Sequence, residues 1–263
     1  MFAPRVAVAS LSGESDADWA RAAAPYVGAA FLGGVAIDET AQEAAKELVA
    51  RDRSEFITDD PTGFIAEQLA ELEATDGPDI FAAVNVRATT GDPIGDVAAV
   101  CADHGAGIEI NAHCRQDELC AVGCGETLLR DTDRLVEYVE TARAEGARVG
   151  VKVRTEVDGV SLPGLAKALA DAGADWIHID AMDSEAVVAD VVVAAPELFV
   201  IANNGVRDRK TVHEYLEYGA DAVSVGRPSD NPAVLQRVRT ATDGWFAKRN
   251  EESVSDDDRE ATV

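Results

Sequence analysis

The sequence predicts an α/β fold, a single-domain (β/α)8 barrel of the TIM type. Three observations support this prediction. Short apolar runs recur along the 263 residues, and an amphipathic stretch at helical spacing follows each run. The runs are nearly continuous in apolar residues, which is typical of parallel strands buried on both faces. No G-x-G-x-x-G motif follows the first run, so a doubly wound open sheet is the less favoured alternative.

The predicted elements alternate regularly along the chain. The strands are Arg5–Ser10, Ala29–Leu32, Ile80–Asn85, Gly107–Ile110, Val149–Val153, Trp176–Asp180, Leu198–Ala202 and Ala222–Val225. The helices are Asp16–Tyr26, Ala41–Arg51, Pro93–Asp103, Asp131–Glu145, Leu162–Ala172, Ser184–Ala194, Arg209–Tyr218 and Ala233–Thr240, with an extra helix at Thr62–Ala74. Gly-Ala pairs end several helices, as expected of glycine caps that lead into the next strand.

The composition changes after Trp245. Residues 1–245 carry the strand and helix pattern, whereas residues 246–263 end in EESVSDDDREATV, which is acidic and poor in apolar side chains. Such a segment cannot bury enough apolar surface to fold by itself. We therefore expect one barrel domain over residues 1–245 and a disordered acidic tail over residues 246–263.

The net charge of −26 arises from 49 acidic and 23 basic residues, and the acids are spread along the whole chain. This pattern is typical of a salt-adapted surface and indicates a halophilic source, such as a halophilic archaeon. An acidic protein that avoids nucleic acid is the other interpretation. Because high salt weakens phosphate contacts in any protein, the charge does not decide between an RNA and a small-molecule substrate.

The expected compartment is the cytoplasm. No run of about 18 apolar residues exists, so we expect no membrane span. The N-terminus MFAPRVAVAS lacks a signal-peptide pattern and already predicts a strand. The four cysteines are scattered, which favours free thiols in a reducing compartment.

Polar residues cluster at the predicted C-terminal strand ends, where barrel enzymes carry their chemistry. These residues are Ser10, Asn85, Asn111, Cys114, Lys152, Arg154, His178, Asp180, Asn203, Asn204, Gly205, Gly226 and Arg227. The opposite ends of the strands carry mostly helix-terminal glycines. A barrel that needed only to pack would not require this asymmetry, so the pattern indicates an enzyme.

Lys152 alternates with valines in VGVKVR, so its side chain must point into the barrel or its mouth. A buried ammonium is costly unless an anion faces it. A Schiff-base nucleophile and a cation beside an anionic cofactor are both compatible with this position, as is a rim lysine with an exposed ammonium.

Two glycine turns follow the last two strands, in IANNGVRD and AVSVGRPSD. Backbone N–H groups at a turn that opens a helix can bind phosphate, and barrels often bind phosphate after strands seven and eight. The sequence therefore predicts a phosphate site at residues 203–205 and 226–227, to which Arg227 adds a charged donor.

Three cysteines follow strand four, at Cys114, Cys120 and Cys124. A thiol just after a strand end serves as an acid, a nucleophile or a metal ligand. The spacing C-x5-C-x3-C lacks the tight pairs of most zinc and iron–sulfur sites, so we expect no metal. Cys101 lies on a predicted helix face and is expected in the core.

These motifs together resemble the tRNA-dihydrouridine synthase family of flavin-binding barrels, including short archaeal relatives without the C-terminal helical domain. The resemblance runs from strand three to strand eight. The segment from Ile110 to Leu129 is similar to the family pattern INxGCP…GAxLL, and VKVR is similar to VKxR. ALADAGADWIHIDAM, VIANNGVRD and GADAVSVGR are similar to the later motifs, of which the last two hold the FMN phosphate.

The resemblance implies an FMN-dependent oxidoreductase that reduces a uracil-type C=C bond. It implies that Lys152 contacts the flavin, that Cys114 donates the proton, and that Asn203–Gly205 and Gly226–Arg227 hold the phosphate. It also places Ser10, Asn85, Asn111, His178 and Asp180 around the flavin or substrate. NAD(P)H is the implied reductant and tRNA the implied partner.

The sequence departs from the family pattern at four points. His113 and Arg115 flank Cys114 where the family has Gly and Pro, and Asn85 replaces a Gln. Asp180 stands where the family has a flavin-contacting His, while His178 lies two residues earlier on the same strand face. No helical RNA-binding domain follows the barrel. Three alternatives therefore stay open: a dihydroorotate dehydrogenase-like barrel acting on a free pyrimidine, a Lys152 Schiff-base lyase or synthase without flavin, and a non-catalytic flavin- or metal-binding protein.

Overall fold

Eight parallel strands close into a barrel in which each strand pairs with the next along the chain and β8 pairs with β1. The structure is a computed structural model that describes residues 1–74 and 77–260, with side chains described up to residue 249 and at residue 251. The strands are β1 (Val6–Val8), β2 (Ala29–Ala36), β3 (Phe81–Arg87), β4 (Gly107–Ala112), β5 (Arg148–Arg154), β6 (Trp176–Asp180), β7 (Phe199–Asn203) and β8 (Ala222–Val225). The predicted (β/α)8 TIM barrel is confirmed.

Helices surround the barrel and bury their apolar faces against it. They are α1 (Ala17–Ala23), α2 (Glu39–Val49), α3 (Pro61–Glu73), α4 (Asp92–Asp103), α5 (Asp117–Ala121), α6 (Thr132–Ala144), α7 (Leu162–Asp171), α8 (Val187–Ala194), α9 (Arg209–Glu217) and α10 (Pro232–Glu260). Aspartate side chains cap the first turns of α1, α2, α3, α6 and α9, where backbone N–H groups lack helical partners.

Two regions differ from the sequence-based prediction. Strand β2 runs on to Ala36 because its glycine-containing end still pairs with β3 as far as Arg87, with a bulge between Gly33 and Val35. The connection after β4 also contains more structure than the expected loop, namely α5 and a 3-10 helix at Gly125–Arg130. In both regions, short polar or glycine-containing segments interrupt the regular spacing of apolar residues from which strands and helices are predicted.

The last helix, Pro232–Glu260, continues past the domain boundary that we placed at residue 245. The expected disorder of residues 246–263 stays a prediction, and residues 261–263 lie outside the described part of the chain. Among the described residues, no helix is both long and apolar enough to span a membrane.

The barrel interior changes from apolar to polar along its axis. Its lower half is filled by aromatic and small side chains, including Phe2, Phe31, Phe81 and Trp176. Gly150 makes room for Trp176, since a Cβ there would lie 1.9 Å from the indole ring. The upper half, toward the carboxyl ends of the strands, holds buried polar side chains from β3 to β8. We call this end of the barrel the mouth.

Candidate active site at the barrel mouth

Inward-facing residues form levels inside the barrel because neighbouring strands are in fixed register. Lys152 on β5 pairs with Asn111 on β4 and with His178 on β6. Arg154 and Asp180 pair one level higher, at the mouth. The side-chain period of two therefore places Lys152 and His178 at one level and Asp180 above them.

Lys152 is buried, with 5% of its surface exposed. Its Nζ lies 3.5 Å from Ser10 Oγ, and it forms no ion pair with any described side chain. Burial lowers the pKa of Lys152, although Glu109, Asp180 and the thiol of Cys114 act in the opposite direction. The structure thus confirms that this lysine points inward, and among the described residues its ammonium has no carboxylate within ion-pair distance.

Cys114 lies on the turn that follows β4, and the turn is anchored on three sides. Asn111 Oδ1 accepts hydrogen bonds from the backbone N–H groups of Cys114 (2.9 Å) and His113 (3.2 Å). The carbonyl of Cys114 accepts a bond of 2.8 Å from the N–H of Glu126, whose carboxylate is paired with the buried Arg154 at 3.1 Å.

Gly125 is required beside this turn. It has a φ of +64°, and a Cβ there would lie 2.1 Å from the Cys114 carbonyl oxygen. The Cys114 side chain itself is half-buried. The fold therefore presents this thiol in a defined position.

The imidazole of His113 crosses the mouth to Asp180. His113 Nε2 lies 2.5 Å from Asp180 Oδ2, and Asn204 Nδ2 donates to Asp180 Oδ1 at 2.8 Å. Burial alone would raise the pKa of Asp180, but hydrogen bonds from His113 and Asn204 lower it to about 2. Asp180 is therefore a carboxylate at neutral pH, and it links the ends of β4, β6 and β7.

Below the mouth, six buried polar side chains form one continuous chain of hydrogen bonds across the barrel. In order they are Asn111, Asn85, Glu109, His178, Ser224 and Asn203, with successive distances of 2.8, 2.8, 2.8, 2.7 and 2.5 Å. The chain satisfies groups that would be costly to bury alone. It fixes the relative positions of Asn111, which anchors the Cys114 turn, and Asn203, at the end of β7.

Glu109 and His178 are both fully buried at the centre of this chain. Burial acts to raise the pKa of Glu109, but His178, Lys152 and Asn85 outweigh it, so the pKa lies below the ordinary value. Burial lowers the pKa of His178 despite the attraction of Glu109. Glu109 is therefore a carboxylate that partly balances the charge of Lys152.

His178 does not reach the mouth. Both of its ring nitrogens are bonded, to Glu109 and Ser224, and none of its surface is exposed. It shares the inward direction of Asp180, as expected, but it lies one level lower. The imidazole at the mouth is that of His113.

The expected phosphate-binding residues lie at the ends of β7 and β8. Asn203 is buried, Gly205 is exposed, and both Asn204 (φ +98°) and Gly205 (φ +65°) have left-handed backbones. Gly226 opens the 3-10 helix Arg227–Asp230, and a Cβ on Gly226 would meet no atom within 4 Å. Arg227 is exposed. The turns leave open space with backbone N–H groups nearby, as a phosphate requires.

Sequence reasoning missed several buried charges near the site. Arg87 ends β3 with 3% of its side chain exposed, and it pairs with Glu55 at 2.5 Å and with Ser12. Burial acts to lower the pKa of Arg87, but the electrostatic effects of Cys114 and Glu55 raise it. Glu109 and Ser224 were also missed. The acid inside the apolar strand IEIN could have indicated the buried position of Glu109, because a charged residue among apolar ones in a strand points inward, as for Lys152.

The other cysteines occupy structural positions. Cys101 and Cys124 are buried, and burial raises the pKa of each to about 12. Cys120 Sγ donates to the Cys114 carbonyl at 3.6 Å. Within the described ranges, no group of three or more His, Cys, Asp and Glu side chains is arranged to hold a metal ion.

The fold and the mouth define the class of protein as a parallel α/β barrel with a thiol, a buried lysine and glycine turns at the carboxyl ends of its strands. Residues 82–256, more than half of the chain, match the family described as dihydrouridine synthase (Dus). The chain therefore belongs to the dihydrouridine synthase family. The matched segment includes β3–β8 and most of the residues at the mouth.

Two further comparisons found similar proteins. An uncharacterized protein of Methanocaldococcus jannaschii is 26% identical over 236 residues, which cover 85% of this chain and 88% of that protein. A chain of the tryptophan synthase complex from Pyrococcus furiosus superposes with a TM-score of 0.54 and 17% identity, covering 95% of this chain and 97% of that one. The second similarity concerns the barrel fold alone.

Proposed function

We propose that the protein is an FMN-dependent oxidoreductase that reduces the carbon–carbon double bond of a uracil ring. The observation that carries the proposal is the placement of Lys152 and Cys114. The family-matched segment brings a half-buried thiol to the same end of the barrel as a buried ammonium that forms no ion pair among the described residues. The ammonium suits an anionic reduced cofactor, and the thiol suits the role of proton donor.

The residues at the mouth fit FMN. The open space at Gly226 and the left-handed turn at Asn204–Gly205 suit the phosphate, with Arg227 as a further donor. Lys152, supported by Ser10, would hold the anionic edge of the flavin ring system, because its ammonium lacks a close anion. Asn111 lies between Lys152 and the Cys114 turn, and Asn85 accepts a hydrogen bond from it on the neighbouring strand β3.

The chain's own residues then perform two tasks. When bound and reduced by NAD(P)H, FMN supplies the hydride for one carbon of the double bond. Cys114 supplies the proton for the neighbouring carbon, and its thiolate regains a proton from solvent at the open mouth. Lys152 and Arg87 stabilise the negative charge left on this side of the site.

Uridine in tRNA is the favoured substrate, because the family acts on tRNA. A free pyrimidine is the second candidate, and the net charge favours it at low salt only. The net charge of −26 opposes the approach of a polyanion at low salt. Both substrates carry the same reactive ring, so the proposed roles of Cys114 and Lys152 are unchanged between them.

The test is dihydrouridine content in the tRNA of a strain without its own dihydrouridine synthase genes. Expression of the wild-type chain restores dihydrouridine if the proposal is correct, and the Cys114→Ala variant does not. Loss of dihydrouridine on deleting the gene in its own host gives the same answer. If neither experiment changes tRNA dihydrouridine while the protein reduces free uracil, the free pyrimidine is the substrate. If it reduces neither substrate, the proposal is wrong.

A further inference from the structure

His113 is a second titratable side chain at the mouth, directly beside Cys114 in the chain. One amide oxygen, Asn111 Oδ1, accepts bonds from both backbone N–H groups, so a single turn presents both side chains. About 30% of the His113 side chain is exposed to the mouth.

The hydrogen bond to Asp180 determines which ring nitrogen of His113 carries the proton. Asp180 Oδ2 is a carboxylate oxygen and can only accept, so Nε2 must donate across the distance of 2.5 Å. In the neutral imidazole, Nδ1 is then an unprotonated acceptor. Among the described residues, no hydrogen bond to Nδ1 is found, so it is available to a ligand.

The surroundings also favour the neutral imidazole. Burial lowers the pKa of His113, and the positive charge of Lys152 acts in the same direction. The groups that face this imidazole are Asp180, which favours its charged form, and Lys152 and His178, which disfavour it. The balance lies on the neutral side, so at neutral pH the residue that precedes Cys114 offers a hydrogen-bond acceptor at the mouth.

A uracil ring complements such an acceptor. Between its two carbonyls it carries one N–H, which remains free when the ring is attached to a ribose. A cytosine ring has an unprotonated nitrogen at this position, which would face the lone pair of Nδ1 and leave both groups unsatisfied. Sites built to bond an N–H discriminate strongly against analogues that lack it.

We infer that His113, oriented by Asp180, accepts a hydrogen bond from the ring N–H of the substrate and thereby selects uracil-type over cytosine-type rings. This inference rests on the proposed function. Asp180 acts through His113 as a positioning residue, and Asn204 holds Asp180 in place. The resulting specificity depends on the tautomer of His113, and not on its charge alone.

The test compares RNA containing uridine with the same RNA containing 3-methyluridine, in which a methyl group replaces the ring hydrogen. For the wild-type holoenzyme we expect kcat/KM to fall at least about tenfold on methylation. In His113→Ala, kcat/KM on uridine falls by a similar factor, mainly through KM, and the difference between the two RNAs disappears. His113→Gln, whose amide oxygen can accept, restores part of the discrimination.

Two further readouts separate this role from a structural one. Protonation of His113 removes the acceptor, so the wild-type kcat/KM falls as the pH drops below the ordinary histidine range. This decrease at acidic pH is absent from the pH profile of His113→Ala. The matched control is His104→Ala, which removes another His–carboxylate pair, with Glu73 at 3.0 Å, directly after α4. This control keeps the wild-type discrimination, and flavin absorption confirms that every variant is loaded.

The outcomes distinguish the two claims. An active His113→Ala variant that still rejects 3-methyluridine as strongly as the wild type overturns the role of His113 and leaves the proposed function intact. A wild-type protein that binds FMN but reduces neither RNA overturns both claims for RNA. Equal wild-type rates on the two RNAs overturn the inference alone.

Discussion

Glu109 Oε2 accepts a hydrogen bond from Trp176 Nε1 at 3.3 Å and also lies 2.8 Å from His178 Nδ1. The carboxylate on β4 thus reaches two residues of β6 across β5. This reach is possible because Gly150, the β5 residue between Glu109 and Trp176 in register, has no side chain to fill the space. One buried acid therefore connects the apolar lower half of the barrel with the polar upper half.

We predict that Glu109→Ala is strongly destabilising. The substitution leaves His178, Trp176 and Asn85 without their acceptor, in a site that water does not reach. Removing one member of a buried charged pair typically costs about 3–5 kcal/mol. Urea unfolding measures the effect, and Glu140→Ala on the exposed face of α6 is the matched control, expected within about 0.5 kcal/mol of the wild type. Equal stabilities of the two variants would show that the buried hydrogen-bond chain contributes little.

Asp180 makes the stability depend on acidic pH. Its pKa is about 2 in the folded protein, against an ordinary value of 3.8, so the unfolded state binds its proton more readily. The folded state gains stability from this carboxylate above pH 4 and loses it as the pH falls toward 2, by about 2 kcal/mol. In Asp180→Asn this part of the acid dependence is absent. Unfolding free energies measured from neutral pH down to pH 2 check the difference, and parallel curves for both proteins refute it.

Cys114→Ala should leave FMN bound but abolish product formation, since the thiol that donates the proton is then lost. The retained visible flavin spectrum shows that the site is intact. Cys120→Ala removes a nearby thiol on α5 and should keep most of the activity. Unchanged turnover in Cys114→Ala would mean that another group donates the proton.

Lys152→Ala should weaken FMN binding or slow the reduction of the bound flavin by at least about tenfold, because the only cation at this level of the described β4–β6 wall is lost. Lys167→Ala, on the exposed face of α7, is the control for loss of a lysine. If Lys152→Ala changes neither binding nor reduction, the placement of the flavin is incorrect. Borohydride trapping of a carbonyl compound on Lys152 would instead favour a Schiff-base lyase or synthase.

The acidic surface predicts that salt stabilises the protein. At a net charge of −26 the acidic side chains repel one another in the folded state, and added KCl screens this repulsion. We expect the midpoint of thermal unfolding to rise steadily from low salt to molar KCl. A midpoint that is constant or falls over this range contradicts the salt-adapted interpretation.

The sequence predicted the order of strands well because each strand is a short apolar run buried on both faces. It also placed Lys152 inside the barrel, since the valines on either side of it leave an inward direction for its side chain. It did not predict the pairing of His113 with Asp180, because residues 67 positions apart meet only when the barrel closes. Likewise, the partners of His178 depend on the register between strands and on the missing side chain of Gly150.

The most direct test of the account is an anaerobic single turnover. The protein is loaded with FMN, reduced, and mixed with tRNA that lacks dihydrouridine, while the flavin spectrum is followed and the tRNA nucleosides are quantified. The account predicts reoxidation of the flavin with formation of one dihydrouridine per flavin oxidised, and no reoxidation when Cys114 is replaced by Ala. A flavin that stays reduced with tRNA and with free uracil, or a protein that cannot be loaded with FMN, would contradict it.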